Sequence, residues 1–144
     1  MSAYKKTHPN SFAIAILTAS LSVIIFILIF FRIDANTNHE NITYINSCGY
    51  HVEESPFDIS HITIPEELDT VYTIYNSIIA KGGFDLNNHR GKRAVRYSYN
   101  VLNYEDPAPL VRINIIRVAD KIVAADISSL EENGFVLPLF PKET

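Results

Sequence analysis

The sequence predicts an α+β fold in which a single N-terminal transmembrane helix precedes a small two-layer domain, with helices packed on an antiparallel sheet that includes a C-terminal three-stranded meander. Three observations carry this expectation. Residues 12–31 read FAIAILTASLSVIIFILIFF, twenty residues without a charge. After Pro65, apolar residues recur at helical spacing, and from Ala94 to Ser129 the period changes to two.

At 144 residues the chain has room for one domain. It divides into a cytoplasmic N-terminus at 1–11, a transmembrane helix at 12–31, a tether at 32–40, an extracytoplasmic α+β domain at 41–140 and a tail at 141–144. Lys5 and Lys6 precede the apolar run and every acidic residue follows it. From Arg32 onward the chain carries 10 basic and 16 acidic side chains, a formal charge of −6. That balance argues against nucleic acid as a partner, because such binding rests on cationic neutralisation of phosphates. Cys48 is the only cysteine, so no internal disulfide forms, and it reads as a small half-buried apolar residue.

A twenty-residue helix spans about 30 Å, the thickness of a bilayer's hydrocarbon core. The lysines before the run and Asp34 and Glu40 after it place the N-terminus inside and the domain outside, in a single-pass cell-membrane topology. A cleaved signal peptide is the competing reading, but the run is long for one and leads into Phe30, Phe31, Arg32 and Ile33 rather than a small-residue cleavage site. Cys48 lies too far along for a lipoprotein signal.

In the domain, a short helix is expected over Glu40 to Cys48, with Ile42 and Ile45 on its apolar side and Gly49 as its stop. Asn41-Ile42-Thr43 is formally a glycosylation acceptor. Phe57 to Ile64 is rich in β-branched residues and reads as a strand. Pro65 is expected to open a second helix, burying Leu68, Val71, Tyr72, Tyr75, Ile78 and Ile79 and ending at Gly82-Gly83. In the three strands that follow, Val95, Tyr97, Tyr99 and Val101, then Val111, Ile113 and Ile115, then Val123, Ala125 and Ile127 form an oily face. A Glu-Asp-Pro-Ala-Pro connection and an Ala119-Asp120-Lys121 turn join them. The helices are expected on that face, leaving the other open to water. Gly134 to Pro141 is apolar but punctuated by proline, and is expected to cover an open end of the core.

The run from Ile64 to Asn103 carries Ile64-Pro65-Glu66-Glu67, Val71-Tyr72, Tyr75-Asn76, Gly83-Phe84-Asp85-Leu86, Gly91-Lys92, and Tyr97-Ser98-Tyr99 leading into Leu102-Asn103-Tyr104. With Gly49-Tyr50 upstream, it resembles an uncharacterised Firmicute family of membrane-anchored extracytoplasmic domains of unknown function (number 4830). The resemblance covers roughly Glu40 to Phe135 and implies an envelope location and an α+β domain, but no activity. Two departures stand out. Asn133 precedes Gly134-Phe135 where the family carries aspartate, and Ala124 to Ser129 read AADISS where the family carries Gly-Gly-Asp-Val-Cys-Ser. Any role of that second cysteine is absent here.

The polar face of the meander supplies the candidate ligand-binding group: Arg96, Arg112 and Asp126, with Ser98, Asn100 and Asn114 beside them. In register, the two arginine forks, oriented by Asp126, suit an anionic or peptide-like ligand; the bland alternative is a solvated face whose charges pair across strands. Arg90, Lys92 and Arg93 form a basic patch that suits an acidic wall polymer or a lipid headgroup, or else is a solvated loop. Tyr72, Tyr75, Tyr97 and Tyr99 are expected in the core rather than as a ligand platform. The histidines are scattered, and no nucleophile elbow or metal spacing occurs, so no catalytic residue, metal or cofactor is expected. The resulting expectation is a membrane-anchored accessory domain, not an enzyme, that binds a protein, peptide or cell-envelope component. A hydrolase using the polar sheet face, and a structural subunit acting through its membrane helix, are the alternatives. The lipid bilayer and a membrane or envelope protein are the expected partners.

Overall fold

The computed structural model describes residues 11–104 and 111–141, with 11, 12 and 30–34 described in backbone only. Lys5 and Lys6, the Glu105 to Pro109 connection and the tail beyond Pro141 lie outside the described residues. The chain is α+β, with helices and a five-stranded antiparallel sheet. Its contacts divide it into two units, 1–36 and 37–144.

Helix α1 spans Ser11–Ser47, so the expected tether and the expected short helix are both helical. In the first unit, residues 13–29 are all exposed, eleven of them Leu, Ile, Val or Phe with more than two-fifths of their surface open. The hydroxyls of Thr18, Ser20 and Ser22 donate back to the carbonyls of Ala15, Leu17 and Thr18 at 2.9 Å. Among the described residues no helix is long and apolar enough to cross a membrane. The described side chains of the apolar run, Ala13 to Ile29, account for about 26 Å of helix at 1.5 Å per residue.

In the second unit, strands β1 (Asp58–Thr63), β2 (Arg93–Asn100), β3 (Val111–Val118), β4 (Lys121–Ser129) and β5 (Val136–Pro138) lie in that order, each antiparallel to the next. The expected meander is β2 to β4. The Gly134 to Pro141 stretch adds a short fifth strand, and Leu139 just beyond it is buried.

The oily face forms as expected: Tyr97, Tyr99, Ile113, Ile115, Ala125 and Ile127 pack on Ile45 and Cys48 from the last turns of α1. Helix α2 (Thr70–Ile79), however, lies on the opposite face. The domain is therefore a sheet with a helix on each side, not two layers with an open polar face. The polar face is polar only at one end. At the other, Ile62, Ala94, Ile116 and Ala124 make an apolar floor that Tyr72, Tyr75 and Ile79 cover. A register shift after Ile116 pairs Arg117 with Ile122 while Ile116 pairs with Ala124, leaving Val123 as the extra residue of a bulge. Val123 thereby joins the α2 side rather than the face expected from strict alternation.

Helix α2 begins five residues later than expected. Asp69 has extended backbone and accepts the Tyr72 N–H at 2.9 Å, so the cap, not Pro65, sets the start. The helix buries a narrow stripe, and Val71, expected inside, is 72% exposed. The α-helix stops at Ile79, ahead of the expected Gly82-Gly83; a 3-10 turn at Ala80–Gly82 follows, and Gly83 closes it in the left-handed conformation that only glycine adopts without cost.

A network of hydrogen bonds joins the last turns of α1 to the sheet. Arg117, 3% exposed, donates through Nη1 to Asn41 Oδ1 at 2.8 Å, through Nη2 to Glu40 Oε2 at 2.7 Å, and to the Asp120 carbonyl. Asn41 in turn donates to the Tyr99 hydroxyl at 3.0 Å, and that hydroxyl donates to Asn38 Oδ1 at 2.9 Å. Asn41 is fully buried, so the atom a glycan would modify is enclosed in the folded domain. Replacing Arg117 strips its donor from the enclosed Asn41 oxygen and removes its ion pair with Glu40. R117M is expected to destabilise the domain by about 2–4 kcal/mol, against less than about 1 kcal/mol for R112M at the half-exposed face. Urea unfolding followed by circular dichroism checks this, and equal effects would show that the network is not what seats the helix.

Candidate functional site

The six residues expected on the polar face come from three adjacent strands, and the register sorts them into rows. Ser98, Asn114 and Asp126 are direct cross-strand partners. The Ser98 hydroxyl donates to Asn114 Oδ1 at 2.7 Å, and Asn114 Nδ2 donates to Asp126 Oδ1 at 2.9 Å and Ser128 Oγ at 3.1 Å. From above, the Tyr75 hydroxyl of α2 donates to Asp126 Oδ2 at 2.7 Å. Asp126 is 3% exposed, and both its oxygens are held.

The two arginines stand on either side of this row and do not converge. Arg96 sits opposite Ser60 of β1, donates to its hydroxyl at 3.4 Å and lies 3.7 Å from Asp58, while Ser60 donates to the same Asp58 oxygen. Arg112 pairs with Asn100, donating through Nε to Asn100 Oδ1 at 3.3 Å, and its guanidinium stacks 3.9 Å over the Phe57 ring. Asn100 Nδ2 donates onward to Glu53 at 3.1 Å. The expected pair of arginine forks oriented by Asp126 is thus divided, because each arginine is two residues along its strand from the row that contains the aspartate.

What the fold does build is a cleft of about 390 Å³ between α2, the sheet and β5. Arg96, Asn114 and Asp126 line it, together with Tyr72, Tyr75 and Val71 from α2 and Val136 from β5. Arg112, Ser98 and Asn100 are not part of its lining. Tyr97 and Tyr99 are buried as expected, whereas Tyr72 and Tyr75 contribute to both the core and the cleft wall.

The charges in the cleft are unequal in kind. Arg96 is half-exposed and permanently cationic. Burial pushes the Asp126 carboxyl above the usual aspartate range, opposed by hydrogen bonds from Asn114 and Tyr75 and by the positive charge of Arg96. Burial and the neighbouring Asp126 push the Tyr75 hydroxyl up, so it stays protonated as a fixed donor. Ser98 gives its proton to an amide oxygen, which is no base.

The basic patch is also divided. Arg90 donates to Asn87 Oδ1 at 2.5 Å and Lys92 to the Asn88 carbonyl at 3.1 Å, both within the short turn Leu86–His89, whereas Arg93 opens β2 elsewhere. Among the described residues no group of three His, Cys, Asp or Glu side chains is placed to hold a metal ion. Cys48 is buried, and burial raises its thiol pKa.

No family model, curated protein or solved structure matches this chain. Sequence reasoning missed Tyr75 as part of the site, because its helical spacing reads equally well as core; Asp126 is the signal, since a carboxylate on a covered face needs a donor from the covering element.

The raised Asp126 value makes stability pH-dependent. The folded chain holds this proton more tightly than the unfolded chain, so its stabilisation is complete below the unfolded value of 3.8 and is lost as pH rises through the higher folded value. D126N keeps an acceptor for Asn114 and removes the titration. It is expected to lose less stability than the wild type between about pH 4 and about pH 7, measured by chemical denaturation. Parallel curves for the two proteins would contradict the assignment.

Proposed function

We propose that this chain is a membrane-anchored, extracytoplasmic binding domain whose cleft beside α2 takes a short peptide or peptide-like envelope component. The observation that carries this reading is a half-exposed, cationic Arg96 in a cleft whose remaining polar groups are already fixed by one another. A ligand carboxylate or backbone carbonyl meets Arg96, and an apolar side chain lies between Val71, Tyr72 and Val136. At about 390 Å³ the cleft falls within the size of small-ligand sites and holds a few residues, not a folded partner.

The anchor rests on the sequence and its physics. Twenty uncharged residues suffice to cross the hydrocarbon core, and the exposed apolar side chains of 13–29 require an apolar surround. Hydroxyls that bond back to their own helix, as those of Thr18, Ser20 and Ser22 do, leave no polar hydrogen unsatisfied in lipid. The lysines before the run and the acidic residues after it give the orientation. The resemblance to the Firmicute extracytoplasmic family points to the same compartment.

Protease added to intact cells or spheroplasts is expected to remove the domain and leave a tag at the N-terminus protected; the reverse pattern would overturn the topology. For the cleft, a photo-crosslinking residue at the exposed Val71 is expected to capture its ligand in intact membranes from the wild type and from R112E, and to lose it in R96E. Capture that survives R96E would remove the cleft from the function.

A further inference from the structure

On the opposite face of the sheet, a second groove of about 440 Å³ lies at the β1 end. His61, Val95 and Arg117 form one straight row across β1, β2 and β3, and Arg93 stands two residues from Val95, opposite Thr63. All five line the groove, with Ala119 of the β3–β4 turn, and no carboxylate does. In a chain that carries a formal charge of −6 from Arg32 onward this is an unusual concentration of basic side chains. Arg93 and His61 are both exposed, and neither side chain is hydrogen-bonded or ion-paired among the described residues. Arg117 differs. Its two Nη atoms are engaged, one of them with Glu40, and its enclosed Nε donates to nothing.

We propose that this groove binds the phosphate of a phosphate ester. Arg93 offers a planar fork of donors and His61 a second donor from the neighbouring strand, so two free side chains converge on an anion with several oxygens. Arg117 is too deeply held to move, and acts as a fixed positive charge behind them, partly offset by Glu40. The groove is far larger than a bare phosphate needs, and Val95, Ile62 and Ala119 supply apolar surface for the organic part of the ester. A lipid headgroup and a soluble phosphate ester share this chemistry. The groove and the peptide cleft share Ile62 of the edge strand in their linings and no charged side chain.

The test uses the full chain in neutral detergent micelles. Glycerol 1-phosphate and inorganic phosphate are titrated by calorimetry against chloride at matched ionic strength. Both phosphates are expected to bind and chloride not, and R93A and H61A are each expected to weaken binding about tenfold or more. Because neither side chain makes a hydrogen bond or ion pair among the described residues, unchanged unfolding curves for both variants confirm that the loss is local. Repeating the glycerol 1-phosphate titration in phosphatidylglycerol and phosphatidylcholine nanodiscs separates the sources. Weaker apparent binding in phosphatidylglycerol identifies a competing headgroup, and equal binding in the two identifies a soluble ester. No binding beyond the chloride control, or binding that R93A leaves intact, would overturn the proposal.

Discussion

A guanidinium enclosed between a helix and a sheet imposes conditions on everything around it. Arg117 cannot shed its charge, so the cost of removing it from water has to be met by acceptors in fixed places. Those acceptors are Glu40 and Asn41 on the last turns of α1 and the carbonyl of Asp120 in the β3–β4 turn. Their positions fix the rotation of α1 about its axis and its height along the sheet together. Once they are fixed, Ile45 and Cys48 come down on Tyr97, Tyr99, Ile113 and Ile127. Apolar contact alone would not select this register, since an oily helix stripe slides over an oily sheet at little cost. The polar chain Arg117, Asn41, Tyr99 and Asn38 does select it, because each shift leaves buried groups unpaired.

The other face solves a different problem. Its floor is half apolar and half polar, so α2 covers one half and only overhangs the other. Asp126 lies at the boundary, buried by α2 and bonded to it through Tyr75. The same hydrogen bond therefore seats the helix and shapes the cleft. Asp126 is held by neutral donors, with Arg96 near but already engaged by Asp58 and Ser60. The cationic and anionic ends of the cleft thus remain separate, and Arg96, paired with Asp58, stays partly open to water.

Much of this was legible in the strands and little of it in the helices. Alternation in β2 and β3 placed Tyr97, Tyr99, Ile113 and Ile115 correctly, because a period of two leaves only one choice of face. It also identified Ser98, Asn114 and Asp126 as neighbours, though not which of them would bond. The side that α2 occupies was not legible, since its stripe fits either face once the polar side contains Ala94, Ile116 and Ala124. Pro65 looked like a helix start, yet Asp69 provides the acceptor that a first turn needs. Arg117 was readable in principle. It continues the series Val111, Ile113, Ile115 in step and so falls on the oily face, where a charge demands partners.

The basic run from Arg90 to Arg96 shows how a strand redistributes what a sequence presents as one patch. Arg93 and Arg96 are three residues apart on β2, an odd separation, so they emerge on opposite faces. Arg96 acquires Ser60 and Asp58 as neighbours and belongs to the cleft; Arg93 acquires His61 and Arg117 and belongs to the groove. The sheet lies between the two side chains. A reading that pools them predicts one broad electrostatic surface that weakens uniformly as charges are removed. The geometry instead places the two guanidinium groups on separate faces, each with its own neighbours, so removing one leaves the surroundings of the other unchanged.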